Sequence, residues 1–158
     1  MTRISPPLAR RFNSIHNFKL QETYPGASLG DGGGIYALGP QQGSVMEQNW
    51  LSNMGKGGGG GALYPDEGSA FWSIDHNVFS NSSFCADDCQ WLHIWVPTCH
   101  DINTTFSYTD TATQDVAGTN TPVTNLTVVP KGGPWPAKAN AIMEGAGPGK
   151  GMQDWALW

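Results

Sequence analysis

Charged residues, cysteines and long apolar runs are all scarce in this sequence of 158 residues. Only 13% of the residues are charged, whereas a typical soluble domain has about 25%. The 8 lysines and arginines cluster nowhere beyond Arg10-Arg11, which argues against the basic footprint of a nucleic-acid-binding protein. No apolar run approaches the roughly 18 residues that span a membrane. Residues 1–11 lack the apolar core of a signal peptide.

The three cysteines, Cys85, Cys89 and Cys99, do not have the spacing of a zinc site. Two interpretations stay open: a disulfide within a loop that leaves one thiol over, or three buried thiols. Asp87-Asp88 is the acidic pair of the same loop. We expect no cofactor, with calcium at Asp87-Asp88 as the alternative.

Glycine, proline and aromatic residues are abundant instead, with 21 Gly, 11 Pro, 7 Trp, 6 Phe and 4 Tyr. Such a composition favours short strands with tight turns over long helices. So many aromatic side chains would drive a disordered chain to collapse. The composition therefore predicts one folded, all-β domain over residues 1–158.

Two sequence patterns repeat in step along the chain. The pattern Asn-x-apolar-polar-Asn occurs at residues 13–17, 49–53 and 77–81, with a degenerate copy at 107–111, and the copies begin 36, 28 and 30 residues apart. An aliphatic residue precedes an aromatic one at Ile35-Tyr36, Leu63-Tyr64 and Ile94-Trp95, 28 and 31 residues apart. Two patterns with one period indicate a repeat architecture.

A period of about 30 residues fits one coil of a parallel β-helix, which stacks on the next at about 4.8 Å. We expect three to four coils over residues 11–111, with stacked asparagines hydrogen-bonded at a turn and aliphatic side chains inside. Segments that break the period predict loops near 19–34, 54–61 and 82–90.

The character of the sequence changes after residue 111. Residues 119–158 predict a short strand near 123–129 and a helix over 134–144, with Pro136 in its first turn and Gly145 at its end. An open end of a repeat stack exposes core and strand edges. We therefore expect this helix and the tail 155–158 to cap the last coil.

Several segments resemble secreted β-helix proteins of the pectate-lyase-like superfamily. They are Asp31-Gly-Gly-Gly-Ile-Tyr, Leu63-Tyr-Pro-Asp-Glu-Gly, Trp91-Leu-His-Ile-Trp and the closing stretch from Trp135. The resemblance covers residues 11–147 and implies a right-handed parallel β-helix. Members of the superfamily are generally longer, so the chain resembles the last coils of a larger protein. They include polysaccharide lyases, glycoside hydrolases and non-catalytic carbohydrate-binding proteins.

Carboxylates near aromatic residues are the first candidates for sugar chemistry, because hydrolases pair two carboxylates across the scissile bond. Asp66 and Glu67 follow the Leu63-Tyr64 strand and are the preferred acid/base pair. Asp31 precedes the Ile35-Tyr36 strand and is a further catalytic candidate. Asp66 and Glu67 also suit an ordinary turn, since Pro-Asp-Glu-Gly is turn chemistry.

Histidine and aromatic residues complete the candidate site. If Ile94 faces the core, His93 and Trp95 point outward together, and His93 becomes a candidate base that His100 would help to orient. Outward-facing aromatic rings stack on the apolar faces of sugars. Tyr36, Tyr64, Trp95 and Trp72 are therefore candidate substrate-binding residues, together with His100. If they face inward, the same aromatic residues are core.

The sequence thus favours a carbohydrate-active enzyme that cleaves glycosidic bonds in a polysaccharide, as hydrolase or lyase. A non-catalytic carbohydrate-binding module and a structural protein that self-associates through open coil edges remain as alternatives. We expect no nucleic-acid or membrane partner. Sequons at Asn81, Asn103 and Asn125 favour a secreted protein.

Overall fold

A computed structural model describes residues 14–16, 19–21, 33–53, 61–81 and 90–147. The first coil contains β1 (Ser14–His16), β2 (Lys19–Gln21) and β3 (Ile35–Ala37). The second contains β4 (Pro40–Glu47), β5 (Trp50–Ser52) and β6 (Gly61–Pro65). The third contains β7 (Ala70–Asp75), β8 (Val78–Ser80) and β9 (Gln90–Ile94). The fourth contains β10 (Asn103–Thr105), β11 (Tyr108–Thr109) and β12 (Gln114–Val116). A fifth, partial coil contains β13 (Val123–Thr124) and β14 (Thr127–Val128).

Each strand pairs in parallel with its counterparts in the neighbouring coils, which builds three sheets. Sheet A has the order β1-β4-β7-β10-β13, sheet B the order β14-β11-β8-β5-β2, and sheet C the order β12-β9-β6-β3. The predicted parallel β-helix is therefore confirmed. Within the described residues, four coils each contribute a strand to all three sheets, and strands continue past residue 111.

Alternating burial explains why these segments form strands around one core. In β7, Ala70, Trp72 and Ile74 are buried, whereas the residues between them are at least partly exposed. Ile74 lies beside Met46 of β4 and Thr104 of β10, so one buried row crosses the stack. Like side chains then pack on each other from coil to coil, as a repeat architecture requires.

The corner between sheets A and B repeats in each coil that the structure describes there. Gln48, His76, Phe106 and Asn125 all adopt left-handed backbone conformations, with φ of 55°, 51°, 46° and 53°.

Asn49 and Asn77 follow two of these residues and are buried. The backbone N–H and the Nδ2 group of Asn49 both donate to Asn77 Oδ1 at 3.0 Å. Asn49 Nδ2 also donates to the Ile15 carbonyl at 3.0 Å, and Asn77 Nδ2 donates to the Met46 carbonyl at 2.9 Å. The predicted asparagine ladder is confirmed at these two positions.

The first copy of the asparagine pattern does not belong to this ladder. Residues 13–17 overlap β1, whose Ile15 pairs with Met46 in sheet A. In sheet B, Lys19 of β2 pairs with Trp50, the residue after Asn49. The described residues of this copy, 14–16, thus lie one sheet earlier in their coil, whereas Asn13 and Asn17 lie outside the described residues. β2 occupies the first three residues of the predicted 19–34 loop.

The predicted C-terminal helix is present as α1 (Ala137–Gly145), with Pro136 as its N-cap. Its Ala139, Ile142 and Met143 pack against Val78 and Tyr108. These two residues stand opposite each other on β8 and β11, so α1 covers the outer face of sheet B. The described contacts therefore place the helix on the side of the stack, where apolar side chains need cover. The tail 155–158 lies outside the described residues.

Candidate functional site

A row of side chains crosses the outer face of sheet C, one from each coil. Tyr36 of β3 pairs with Tyr64 of β6. Leu63 pairs with Leu92, which sets Tyr64 level with His93 of β9, and His93 pairs with Asp115 of β12. Because side chains alternate along a strand, this row faces away from the core that Ile35, Leu63 and Leu92 fill.

This register corrects the predicted aromatic ladder by two residues along β9. Trp95 is not level with Tyr36 and Tyr64, because His93 takes that place. Trp95 lies two residues beyond His93, just after β9, on the same outward side. The aliphatic-aromatic pattern identified the right strands. It did not give the register of β9, because the position level with Tyr64 holds His93, and the pattern matched the next outward residue, Trp95, instead.

The rings of the row contact each other in sequence. The Tyr36 and Tyr64 rings meet edge to face with centroids 5.3 Å apart. The Tyr64 ring stacks on the His93 imidazole at 4.6 Å and 6° between planes. The His93 ring meets the Trp95 indole edge to face at 5.2 Å.

Exposure divides this row into a buried middle and two exposed ends. Tyr64 and His93 are only 2% and 3% exposed, whereas Tyr36 is 41% and Trp95 is 48% exposed. We call Tyr36, Tyr64, Asp66, His93 and Trp95 the sheet C face. Tyr36 and Trp95 therefore expose part of their rings to solvent, whereas Tyr64 and His93 do not.

Asp66 is anchored at the end of β6. Tyr36 donates its phenolic hydrogen to Asp66 Oδ2 at 2.5 Å. The Asp66 backbone N–H donates to the Ala37 carbonyl at 2.8 Å, and its carbonyl accepts from Ser69 N–H at 2.9 Å. Asp66 is 6% exposed, and its Oδ1 has no hydrogen-bond partner among the described residues. A buried carboxylate oxygen without a partner is costly to the fold and is a candidate acceptor for a ligand.

Glu67 is the next residue but has a different environment. It is exposed and begins a turn in which Gly68 has φ of 70°. A side chain other than glycine is strained at that backbone conformation, so Gly68 allows the tight reversal into β7. The predicted acid/base pair thus has one buried member and one exposed member.

Asp115 belongs to the site although the sequence did not indicate it. Its Oδ2 lies 3.6 Å from His93 Nε2, and its side chain is 46% exposed. At 3.6 Å the two groups are in ion-pair range but too far apart for a hydrogen bond. Only the pairing of β12 with β9 identifies Asp115, because that pairing places residue 115 next to His93.

His100 lies elsewhere and does not orient His93 through any contact the structure records. Its backbone pairs with Ala70 and Thr119 beside sheet A. Its Nδ1 is 2.9 Å from Asp101 Oδ2, and its ring meets the Phe71 ring edge to face. The hydrogen bonds from His100 and then Asn120, in that order, hold the pKa of the exposed Asp101 below its ordinary value of 3.8. These residues form a separate surface cluster.

The remaining predicted residues divide into core and undescribed positions. Trp72 lies in the core at 5% exposure, so its indole offers no surface to a sugar. Cys99 is a free buried thiol that donates to the Asp66 carbonyl at 3.2 Å. Asp31, Asp87-Asp88, Cys85 and Cys89 lie outside the described residues. Within the described ranges, no three metal-binding side chains come together.

Comparisons with protein-family models, with curated proteins and with solved structures found no match to this chain. No helix within the described part of the chain has the length and apolar character needed to cross a membrane. The class that the structure defines is therefore that of a parallel β-helix protein, with an aromatic and carboxylate-bearing surface on one sheet.

Proposed function

We propose that this protein belongs to the pectate-lyase-like group of β-helix proteins and acts on a polysaccharide along the sheet C face. The observation that supports the proposal is the convergence of Tyr36, Asp66, His93 and Trp95 on one outer surface. Exposed rings stack on the apolar faces of sugars, and carboxylate oxygens accept hydrogen bonds from sugar hydroxyls. A surface that crosses several coils suits a chain of sugars better than a single small molecule.

Glycosidic-bond cleavage is the reaction that we propose for this face. In a hydrolase, Asp66 would protonate the leaving oxygen and Glu67 would activate water, or the reverse. In a lyase, His93 would remove the ring proton next to the carboxyl group of a uronate unit, and the bond to the glycosidic oxygen would break as the double bond forms. The imidazolium, with Asp115 beside it, would return the proton to the leaving oxygen. Asp115 is the other carboxylate near this face. It lies two coils and two residues from Asp66, roughly 12 Å between Cα atoms, which is long for a hydrolytic pair, so Glu67 is the partner that we propose for Asp66.

Non-catalytic carbohydrate binding is the second candidate, and one observation favours it. Asp66 and His93 are both almost completely buried, whereas the exposed parts of the face are the Tyr36 and Trp95 rings. A binding module needs the rings and only a few polar acceptors.

The substitution Asp66→Asn distinguishes cleavage from binding. Asparagine keeps an acceptor for the Tyr36 hydroxyl but cannot transfer a proton, so we expect a loss of about 100-fold or more in turnover with little change in binding. The measurement is the release of reducing sugars and of unsaturated ends from a panel of plant, fungal and algal polysaccharides. The matched control is Asp101→Asn, which changes a carboxylate on another surface.

Unchanged turnover in Asp66→Asn would remove Asp66 from the mechanism. Binding without turnover in the unmodified protein would favour the second candidate. Unsaturated ends would indicate a lyase, and reducing sugars alone a hydrolase.

We also infer that the protein is exported. Asn81, Asn103 and Asn125 begin N-x-S/T sequons, and all three side chains are exposed. None of them lies on sheet C, so glycans there would leave the proposed binding face uncovered. Secretion from a glycosylating host should give a mass increase that falls stepwise with Asn→Gln at each sequon. An unmodified secreted chain would argue against this inference.

A further inference from the structure

Among the described residues, the side chains on and beside the sheet C face with a permanent charge are all carboxylates. Asp66, Glu67 and Asp115 supply three carboxylates, and the described strands and turns of sheet C contain no lysine or arginine. Lys131 follows β14, and Lys138 is on α1 over sheet B. Among the described residues of the face, His93 is the titratable group that can carry positive charge, and Asp115 lies beside it.

A chain of acidic sugars would bring one negative charge with each unit onto this surface. Like charges repel strongly where water is partly excluded, and the buried Asp66 and the half-exposed Asp115 are both placed to act on a bound chain. An uncharged sugar unit instead offers hydroxyl donors. The Asp66 Oδ1 atom, which has no hydrogen-bond partner among the described residues, is an acceptor for such a donor.

We infer that the sheet C face selects a polysaccharide of uncharged sugars and rejects polyuronates. This inference rests on the proposed function in its hydrolytic or binding form, because it assumes that a sugar chain lies along the face and because a lyase needs the uronate units that the face would reject. Tyr36 and Trp95 supply the stacking surface, Asp66 accepts a hydroxyl donor, and Glu67 and Asp115 exclude anionic chains. Electrostatic exclusion of a wrong ligand is as effective a source of specificity as a new favourable contact.

The test compares neutral gluco-, manno- and xylo-oligosaccharides with an oligogalacturonate of equal length by titration calorimetry. We expect at least one neutral chain to bind about tenfold or more tightly than the uronate chain. The difference should shrink when ionic strength rises from about 0.01 M to about 1 M, since the Debye length falls from about 30 Å to about 3 Å. Glu67→Gln and Asp115→Asn should each strengthen uronate binding, whereas Asp101→Asn on the other surface should not.

Each outcome bears on a separate statement. Uronate binding equal to or tighter than neutral binding overturns the inference and leaves the proposed function standing. The inference is also overturned, and the proposed function still stands, if Glu67→Gln and Asp115→Asn leave the ratio of neutral to uronate affinity unchanged. Binding of no oligosaccharide at all contradicts the proposed function itself. Because Glu67 is exposed and the Asp115 side chain is about half exposed, circular dichroism should show both variants folded.

Discussion

At the scale of single residues, the buried pair Asn49 and Asn77 shows how one side chain links neighbouring coils. Asn77 Oδ1 accepts two hydrogen bonds from Asn49, while Asn77 Nδ2 donates to a backbone carbonyl of sheet A. The amide therefore satisfies backbone and side-chain groups at a corner where the left-handed residues His76 and Gln48 interrupt the ladder of strand hydrogen bonds. Serine occupies the equivalent place at 107, so the corner itself does not require asparagine.

Replacing Asn77 by alanine tests the importance of this link. The change leaves two donors of Asn49 and the Met46 carbonyl without these bonds in a buried site, at a cost of about 1–3 kcal/mol for an unsatisfied group. We expect the free energy of unfolding to fall by about 2–3 kcal/mol in urea titration. Asn103→Ala, an exposed position on sheet A, is the control and should stay within about 0.5 kcal/mol. Equal losses in both variants would show that the buried amide has no special role.

The same scale shows what the sequence could and could not predict about the site. Tyr36, Tyr64, Asp66, His93 and Trp95 were all predicted, because alternation and the 28-residue spacing identify the outward positions of β3 and β6. Asp115 was not, since its coil is shorter and its strand reads Gln-Asp-Val without an aromatic residue. Trp72 was a substrate-binding candidate with a core position as the alternative, because aromatic side chains occupy both faces of strands, and the structure shows that it is core.

At the scale of elements, α1 covers one side of the stack. Ala139, Ile142 and Met143 recur at the spacing of a single helix face and pack against Val78 and Tyr108. The sequence predicted the helix from its proline and glycine boundaries. It did not predict where the helix packs, because the outer face of sheet B is built from residues about 30 and 60 positions away.

The substitution Ala139→Glu tests this packing. Ala139 is completely buried, so glutamate would place an unpaired charge between helix and sheet, which costs several kcal/mol. We expect α1 to detach, seen as faster hydrogen exchange of its amides while the amides of β8 and β5 stay protected. Ala141→Glu, an exposed position on the same helix, should leave exchange unchanged. Protection of α1 in Ala139→Glu would contradict the packing described here.

At the scale of the whole molecule, the fold follows from repetition. Four coils stack so that Met46, Ile74 and Thr104 form one interior row, and each added coil buries the face of the one before. Period and composition were sufficient to predict this architecture, since both repeats kept the spacing of a β-helix coil. They were not sufficient for register, because a one-residue slip preserves the period while moving every side chain to the other face.

The central claim is that the sheet C face binds a polysaccharide, and Trp95 is its most exposed ring. Affinity electrophoresis in gels that contain a panel of neutral and uronate-containing polysaccharides tests it most directly. Trp95→Ala is compared with Phe106→Ala, an exposed ring at the corner of sheets A and B. We predict retardation of the unmodified protein and of Phe106→Ala, and an affinity at least about tenfold lower for Trp95→Ala, equivalent to about 1.4 kcal/mol. Equal retardation of the two variants would contradict the claim, as would the absence of retardation in every gel.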